Sequence, residues 1–228
     1  MNEALAGWTR ETPGAGLVCW QPAKGYRYGV EAYALASFAL VALEHLKGDV
    51  GGITTLDLGA GSGIVGLLLA SRGVQVTAVE RDERWAAALR RSIRESGLDI
   101  PVIMGDARGL ALPAVDLVVS NPPWFDASRG PVSPDDHKAH ARSTLYGGPA
   151  EFVVAGLRAA PRVCIVVPAS TGLPSVPGAW LRRRATVGGL NLGEFSEREG
   201  PTEEVTLDPY RVLGQYQGPT SSSPACLL

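Results

Sequence analysis

The sequence predicts an α/β fold, a doubly wound and mostly parallel sheet with helices on both faces. Three observations carry this. Short apolar segments of strand length alternate with segments of helix length from residue 53 to residue 168. A glycine-rich turn joins the first of those strands to the helix after it. An acid, Glu80, then closes the next strand, about 20 residues on.

In chain order, the first residues, through about Ala15, read as a loose arm. Residues 27–46 read as a helix, with apolar residues recurring along YALASFALVALEHL, and Gly48, Gly51 and Gly52 end it. The spacing then predicts a strand over 53–58, a helix over 63–72, a strand over 74–80 and an amphipathic helix over 83–97. Strands over 101–104 and 115–120, a helix over 149–160 and an apolar strand over 162–168 complete the alternation. Beyond Pro168 the pattern weakens: a helical turn is expected over 179–184 and strands over 185–192 and 205–213. The 228 residues suit one domain. Its expected parts are an N-terminal arm and helix (1–50), a ligand-binding core (51–170), late strands (171–216) and a flexible tail (217–228).

Hydrophobic residues make up 45% of the chain and charged ones 19%, a globular balance. The net charge of −2 supplies no global attraction to nucleic acid, so such contact would need a local basic patch. Cys19, Cys164 and Cys226 form no CxxC pair, which argues for a reducing compartment and against a disulfide framework or zinc site. No signal peptide, membrane span or prenylation signal is read, and no metal site is expected. The expected location is the cytoplasm.

The chemistry concentrates in two places. In Leu56-Asp57-Leu58-Gly59-Ala60-Gly61-Ser62-Gly63 the glycines let the backbone turn tightly and approach a ligand, and Glu80 sits where an acid can bind ribose hydroxyls. Residues 61–66 also fit the GxGxxG dinucleotide pattern, so this loop alone leaves a nicotinamide cofactor open. Gly105-Asp106-Ala107 follows the third strand. At the end of the fourth stand Asn121-Pro122-Pro123-Trp124-Phe125. Prolines restrict the backbone and remove donors, an asparagine side chain can accept from an amine, and Trp124 offers a flat face for stacking. The polar stretch from Asn121 to Pro149 is long for a connection, as functional loops often are.

The D-x-G-x-G-x-G loop beginning at Asp57 resembles that of the class I S-adenosylmethionine (SAM)-dependent methyltransferases, whose fold is Rossmann-like. That resemblance implies SAM contacts at Asp57, Gly59, Gly61, Gly63 and Glu80, with Asp106 and Ala107 at the adenine. The NPPW segment resembles the NPP-aromatic motif of amino-group methyltransferases. It implies that Asn121, Pro122, Pro123 and Trp124 are catalytic, that Asn121 also borders the cofactor, and that Trp124 and Phe125 meet the substrate. Gln21-Pro22-Ala23-Lys24-Gly25-Tyr26-Arg27-Tyr28-Gly29-Val30-Glu31-Ala32 is similar to the opening of the bacterial tRNA(Val) adenine-N6 methyltransferases. Ser133-Pro134-Asp135 and residues 138–142 resemble a later loop of that family. Tyr26, Tyr28 and Glu31 open the helix that precedes the sheet, so they are expected to line or cover the cofactor pocket. The alternative is that the tyrosines staple this helix to the core. On the resemblance, Lys138 and Arg142 touch substrate. Trp124 stands where that family usually has tyrosine, and Ser143-Thr144 depart from its pattern.

The implied reaction is SAM-dependent methylation of an exocyclic amino group, adenine N6 in tRNA or other RNA. Two alternatives remain: methylation of a protein glutamine amide or small-molecule amine, and a non-catalytic SAM- or RNA-binding protein. Lys24, Arg27, Arg129, Lys138, Arg142 and the run Arg182-Arg183-Arg184 are the basic residues available to RNA.

Overall fold

The structure is a computed structural model that describes residues 6–47, 52–124 and 147–214. Strands β1 (Trp8–Glu11) and β2 (Cys19–Pro22) form a small antiparallel pair. Helix α1 (Val30–Lys47) leads into β3 (Thr54–Leu58), α2 (Ile64–Ala70), β4 (Gln75–Glu80), α3 (Glu83–Glu95), β5 (Val102–Met104) and β6 (Leu117–Ser120). After residue 146 come α4 (Pro149–Leu157), β7 (Val163–Pro168), β8 (Trp180–Val187), β9 (Leu190–Ser196), the two-residue β10 (Glu203–Glu204) and a 3-10 turn over Arg211–Leu213.

The main sheet has the order β10-β8-β9-β7-β6-β3-β4-β5. Strands β5, β4, β3, β6 and β7 run parallel, and β9 is antiparallel to both β7 and β8. Side chains alternate across the central strands. Leu117, Val119, Cys164 and Val166 pack on one face with α1 and α2, while Val118, Val163, Ile165 and Val167 pack on the other with α4. Both faces are therefore buried, which is why these strands read as continuous apolar runs. The chain leaves β3 toward β4 on one side and returns to β6 on the other, so a crevice opens at the carboxyl ends of β3 and β6.

Four expectations need correction. The N-terminal arm is a hairpin stitched to α3. Val18 N–H donates to Ser96 Oγ (2.9 Å), Trp20 N–H donates to Ser92 Oγ (2.8 Å), and the Arg91 guanidinium lies over the Trp20 ring. Four-residue strands carry too little periodicity to be read locally, and their support comes from a helix more than 60 residues away in sequence. Residues 179–184, expected as a helical turn, lie instead in β8 from Trp180 on. Leu, Arg and Ala favour helix locally, but β9 supplies a pairing edge and Glu194, Glu203 and Glu204 take the arginines. The strand expected over 185–192 is broken by Gly188 and Gly189, which turn β8 into β9. The one expected over 205–213 is replaced by the 3-10 turn, whose Val212 N–H donates to Ser37 Oγ of α1.

Gly63 shows how tightly the turn after β3 is packed. It has φ +78°, and a Cβ placed there would come within 2.0 Å of Leu89 Cδ1 on α3. Gly63→Ala is therefore expected to destabilise the fold by about 2–4 kcal/mol, from left-handed backbone strain plus overpacking. A shift of the urea midpoint at constant m-value checks this. Because Leu89→Ala removes the obstacle, the double variant should lose less than the sum of the single losses.

Candidate active site

A pocket sits in the crevice at the carboxyl ends of β3, β4, β5 and β6. Its floor is the turn after β3. Gly59 and Ala60 N–H both donate to Val79 O of β4 (2.9 and 3.0 Å), and Gly63 N–H donates to Ala60 O (2.8 Å). Gly61 has φ +56°, a conformation glycine adopts without strain, and its N–H donates to Glu80 Oε2 (2.7 Å). The other Glu80 oxygen accepts from Arg81 N–H and Asp82 N–H, each at 2.8 Å. Glu80 is buried, and that burial pushes its pKa up against these hydrogen bonds.

Asp57 lies beneath the turn, fully buried, with Oδ2 accepting the Gly66 N–H of α2 at 3.0 Å. Burial raises its pKa to about 7, the Gly66 N–H opposes the rise, and nearby Glu80 adds to it. Asp82 caps α3, accepting from Arg84 and Trp85 N–H, and so sets Trp85 behind Gly61. Trp85 is braced edge-on by Trp8 at 4.9 Å. Cys19 of the hairpin donates its thiol hydrogen to Ser62 O, which buttresses the same turn.

The opposite wall begins where β6 ends. Buried Ser120 donates to Leu58 O (2.8 Å) and fixes the point at which Asn121-Pro122-Pro123-Trp124 leaves the sheet. The prolines cannot donate, and their fixed φ holds the segment. Trp124 lines the pocket with its indole N–H donated to Val166 O of β7 (3.2 Å), so the ring is held at its edge. Asn121 Nδ2 donates to Tyr26 Oη (3.0 Å), while its buried Oδ1 has no hydrogen-bond partner among the described residues. Unpaired acceptors of this kind are costly unless something else satisfies them.

Of the residues expected at the cofactor, the pocket wall brings together Tyr28, Asp57, Gly59, Gly61, Glu80, Asp106, Ala107 and Asn121. Pro122, Pro123 and Trp124 face them. Gly63 and Glu31 are not on the wall: Gly63 packs against Leu89, and Glu31 bonds to Tyr26 behind it. Asp106 is already clasped by Arg108, whose guanidinium holds its carboxyl down at about 2. Phe125, Lys138 and Arg142 lie outside the described residues, as do Arg129 and the tail. The arginine run is engaged within the chain. Arg182 donates to the carbonyls of Arg198 and Glu199, Arg183 pairs with Glu194 and Glu203, and Arg184 pairs with Glu204. Sequence reasoning missed Trp85 and Phe152 on the wall, because both sit in helices whose apolar positions read as core. Among the described residues no group of His, Cys, Asp or Glu could hold a metal ion, and no helix is long and apolar enough to cross a membrane.

The residues fit SAM better than a dinucleotide. A pyrophosphate needs unbonded N–H groups and no neighbouring negative charge. Here the N–H groups of Gly59, Ala60, Gly61 and Gly63 are spent within the fold, and two buried carboxylates line the cavity. Buried carboxylates favour a ligand with positive charge, as SAM carries on its sulfonium and ammonium groups, and an acid at Glu80 suits ribose hydroxyls.

Comparison with known proteins agrees with this geometry. Residues 36–134 match the model of the methyltransferase small domain. The chain is 32% identical to the tRNA1(Val) (adenine(37)-N6)-methyltransferase of Tolumonas auensis over 172 residues, covering 67% of this chain and 72% of that protein. It is 39% identical over 89 residues to the ribosomal RNA small subunit methyltransferase A of Deinococcus radiodurans, spanning 38% of this chain and 30% of that protein. Among solved structures, a T. thermophilus 16S rRNA N2 methyltransferase in complex with AdoMet and guanosine superposes with a TM-score of 0.56. It is 20% identical, with 84% of this chain and 51% of that chain covered, and so shares the fold.

The Asp57 carboxyl makes stability depend on pH. Its folded pKa of about 7 lies above the ordinary 3.8, so the neutral form is the one the fold favours. Its contribution is full below the ordinary value and is lost as pH rises through about 7. Asp57→Asn, which stays neutral and keeps an acceptor, is expected to flatten the fall in melting temperature between pH 4 and pH 8. Melting curves taken across that range check it. An unchanged slope would mean that Asp57 is ionised throughout.

Proposed function

This chain belongs to the class I methyltransferase family that includes the tRNA1(Val) (adenine(37)-N6)-methyltransferases, and on that premise we propose that it methylates the N6 amino group of an adenine in RNA, with tRNA as the substrate. The observation that carries the reading is Asn121 at the end of β6, a residue of the pocket wall whose buried Oδ1 has no hydrogen-bond partner among the described residues.

An adenine amino group is a poor nucleophile, because its lone pair is delocalised into the ring. SAM supplies an electrophilic methyl group carried on a sulfonium. Asp57, Glu80 and the turn through Gly59 and Gly61 would hold it, with Asp106 and Ala107 beside its base. Asn121 Oδ1 accepts one amine N–H and the Pro122 carbonyl offers a second acceptor. Together they draw the nitrogen lone pair out of the ring and stabilise the positive charge that grows on it. Trp124 gives the base a face to stack on, and the bond from its indole N–H to Val166 keeps that face from rotating. The electrostatic effect is largest where water is excluded, as it is around a buried acceptor. The reading assigns the enzyme to the cytoplasm, where its RNA substrates are.

Labelled SAM incubated with separate pools of tRNA, ribosomal RNA and protein tests the assignment. Label in tRNA adenine supports it, label in protein moves the substrate to a glutamine amide, and SAM binding without transfer removes the catalytic reading. Asn121→Ala is expected to leave SAM affinity nearly unchanged and to slow single-turnover transfer by about 100-fold or more, as for loss of one preorganised transition-state partner. Trp124→Ala is expected to weaken RNA capture by about 1–3 kcal/mol, the worth of one stacked base. Transfer at the wild-type rate by Asn121→Ala would overturn the amino-group mechanism.

A further inference from the structure

The amide of Asn121 has two ends, and only its oxygen can accept from an amine. Turned over, the same side chain would set its own N–H groups against those of the substrate. What decides the orientation lies on the far side of the amide. Nδ2 is 3.0 Å from Tyr26 Oη, and Tyr26 Oη is 3.4 Å from Glu31 Oε1. The Tyr26 hydroxyl donates its hydrogen to Glu31. Its oxygen then presents a lone pair to Asn121, and the amide must turn its nitrogen that way. Glu31 is itself fixed in the first turn of α1, where the same oxygen accepts Gly29 N–H at 2.9 Å. The Tyr26 ring is set edge-on to Trp85, 6.5 Å between centroids.

We propose that Tyr26, oriented by Glu31, is a positioning residue that locks Asn121 oxygen-first toward the incoming amine. This rests on the amino-methyltransferase reading and extends it to residues 95 and 90 positions away in sequence from the one they serve. The relay runs from a fixed backbone N–H through a carboxylate, a phenol and an amide into the pocket. Such an arrangement lowers the reorganisation needed as charge develops, and it selects an N–H-bearing group over an oxo group at the same position on a base.

The test uses the full chain, labelled SAM and an unmodified valine tRNA transcript. Tyr26→Phe keeps the ring and removes the hydroxyl. It is expected to slow single-turnover transfer by about tenfold, the worth of one hydrogen bond. In an Asn121→Ala background the same change should add no further loss, because Tyr26 acts through the amide. A merely structural tyrosine would slow both backgrounds alike. Glu31→Gln, which retains an acceptor for the phenol, should recover part of what Glu31→Ala loses. A second readout needs no substrate: the side-chain NH2 resonances of Asn121 should shift and exchange faster with solvent in Tyr26→Phe. If those resonances do not move, or if Tyr26→Phe is fully additive with Asn121→Ala, the relay is overturned while the amino-group mechanism stands. If Asn121→Ala itself transfers at the wild-type rate, or the wild type labels no RNA, the underlying reading falls, whatever the resonances show.

Discussion

Glu80 accepts three backbone N–H groups, from Gly61, Arg81 and Asp82. One buried carboxylate therefore ties the turn after β3 to the turn after β4, across the two strands whose ends form the pocket floor. The rest of the site is built outward from this clasp. The Val79 carbonyl next to it receives two further N–H groups from the same turn, Asp82 caps α3, and Trp85 closes the space behind Gly61. The N–H groups of Gly59, Ala60, Gly61 and Gly63 are satisfied before any ligand arrives. The carboxylates of Asp57 and Glu80 line this side of the cavity.

That character separates two kinds of glycine-rich turn that look alike as strings of letters. A dinucleotide turn offers free N–H groups and a helix N-terminus to a pyrophosphate. Here Asp57 accepts Gly66 N–H in the first turn of α2 from below, and the turn before the helix spends the N–H groups of Gly59, Ala60, Gly61 and Gly63. Negative charge is spent inside the protein, and the cavity favours a cationic ligand. The facing wall is arranged on the opposite principle. Proline removes donors, Ser120 and Trp124 give their hydrogens to strand carbonyls, and one acceptor, Asn121 Oδ1, is left over. The unpaired atom stands out because its neighbours are satisfied.

The far edge of the sheet has its own buried charge. Glu194 of β9 is fully buried, with Arg162 and Arg183 on its two oxygens at 2.5 and 2.8 Å. Removing one member of such a group costs about 3–5 kcal/mol, because it leaves a charge without its partner. This cluster joins β8 to β9 and to the start of β7, so Arg183, which looks available to RNA in the sequence, is engaged in the strand pairing. The same interactions explain why a stretch of helix-favouring residues adopts β8.

Local chemistry was enough to read the sheet core, the glycine turn and the segment at Asn121. Apolar runs of five or six residues, glycines and prolines each restrict the backbone through their own sterics, so Thr54–Leu58, Ile64–Ala70 and Leu117–Ser120 fall within a few residues of their expected bounds. The acids Asp57, Glu80 and Asp106 were likewise legible, since strand ends in such a sheet converge on one crevice. Other features depend on partners distant in sequence. The hairpin of Trp8–Glu11 and Cys19–Pro22 exists because Ser92 and Ser96 receive it, and β8 because Glu194 does. Gly63 belongs to the glycine motif by spacing, yet its lack of a side chain serves Leu89 and not the pocket. Tyr26 and Asn121 are brought within 3.0 Å only when α1 packs across the sheet. Sequence alone determines which groups the chain carries and how each short segment bends. Which hydrogen of Tyr26 and which end of Asn121 faces which neighbour is decided by tertiary packing, because a hydrogen bond depends on distance and direction in space.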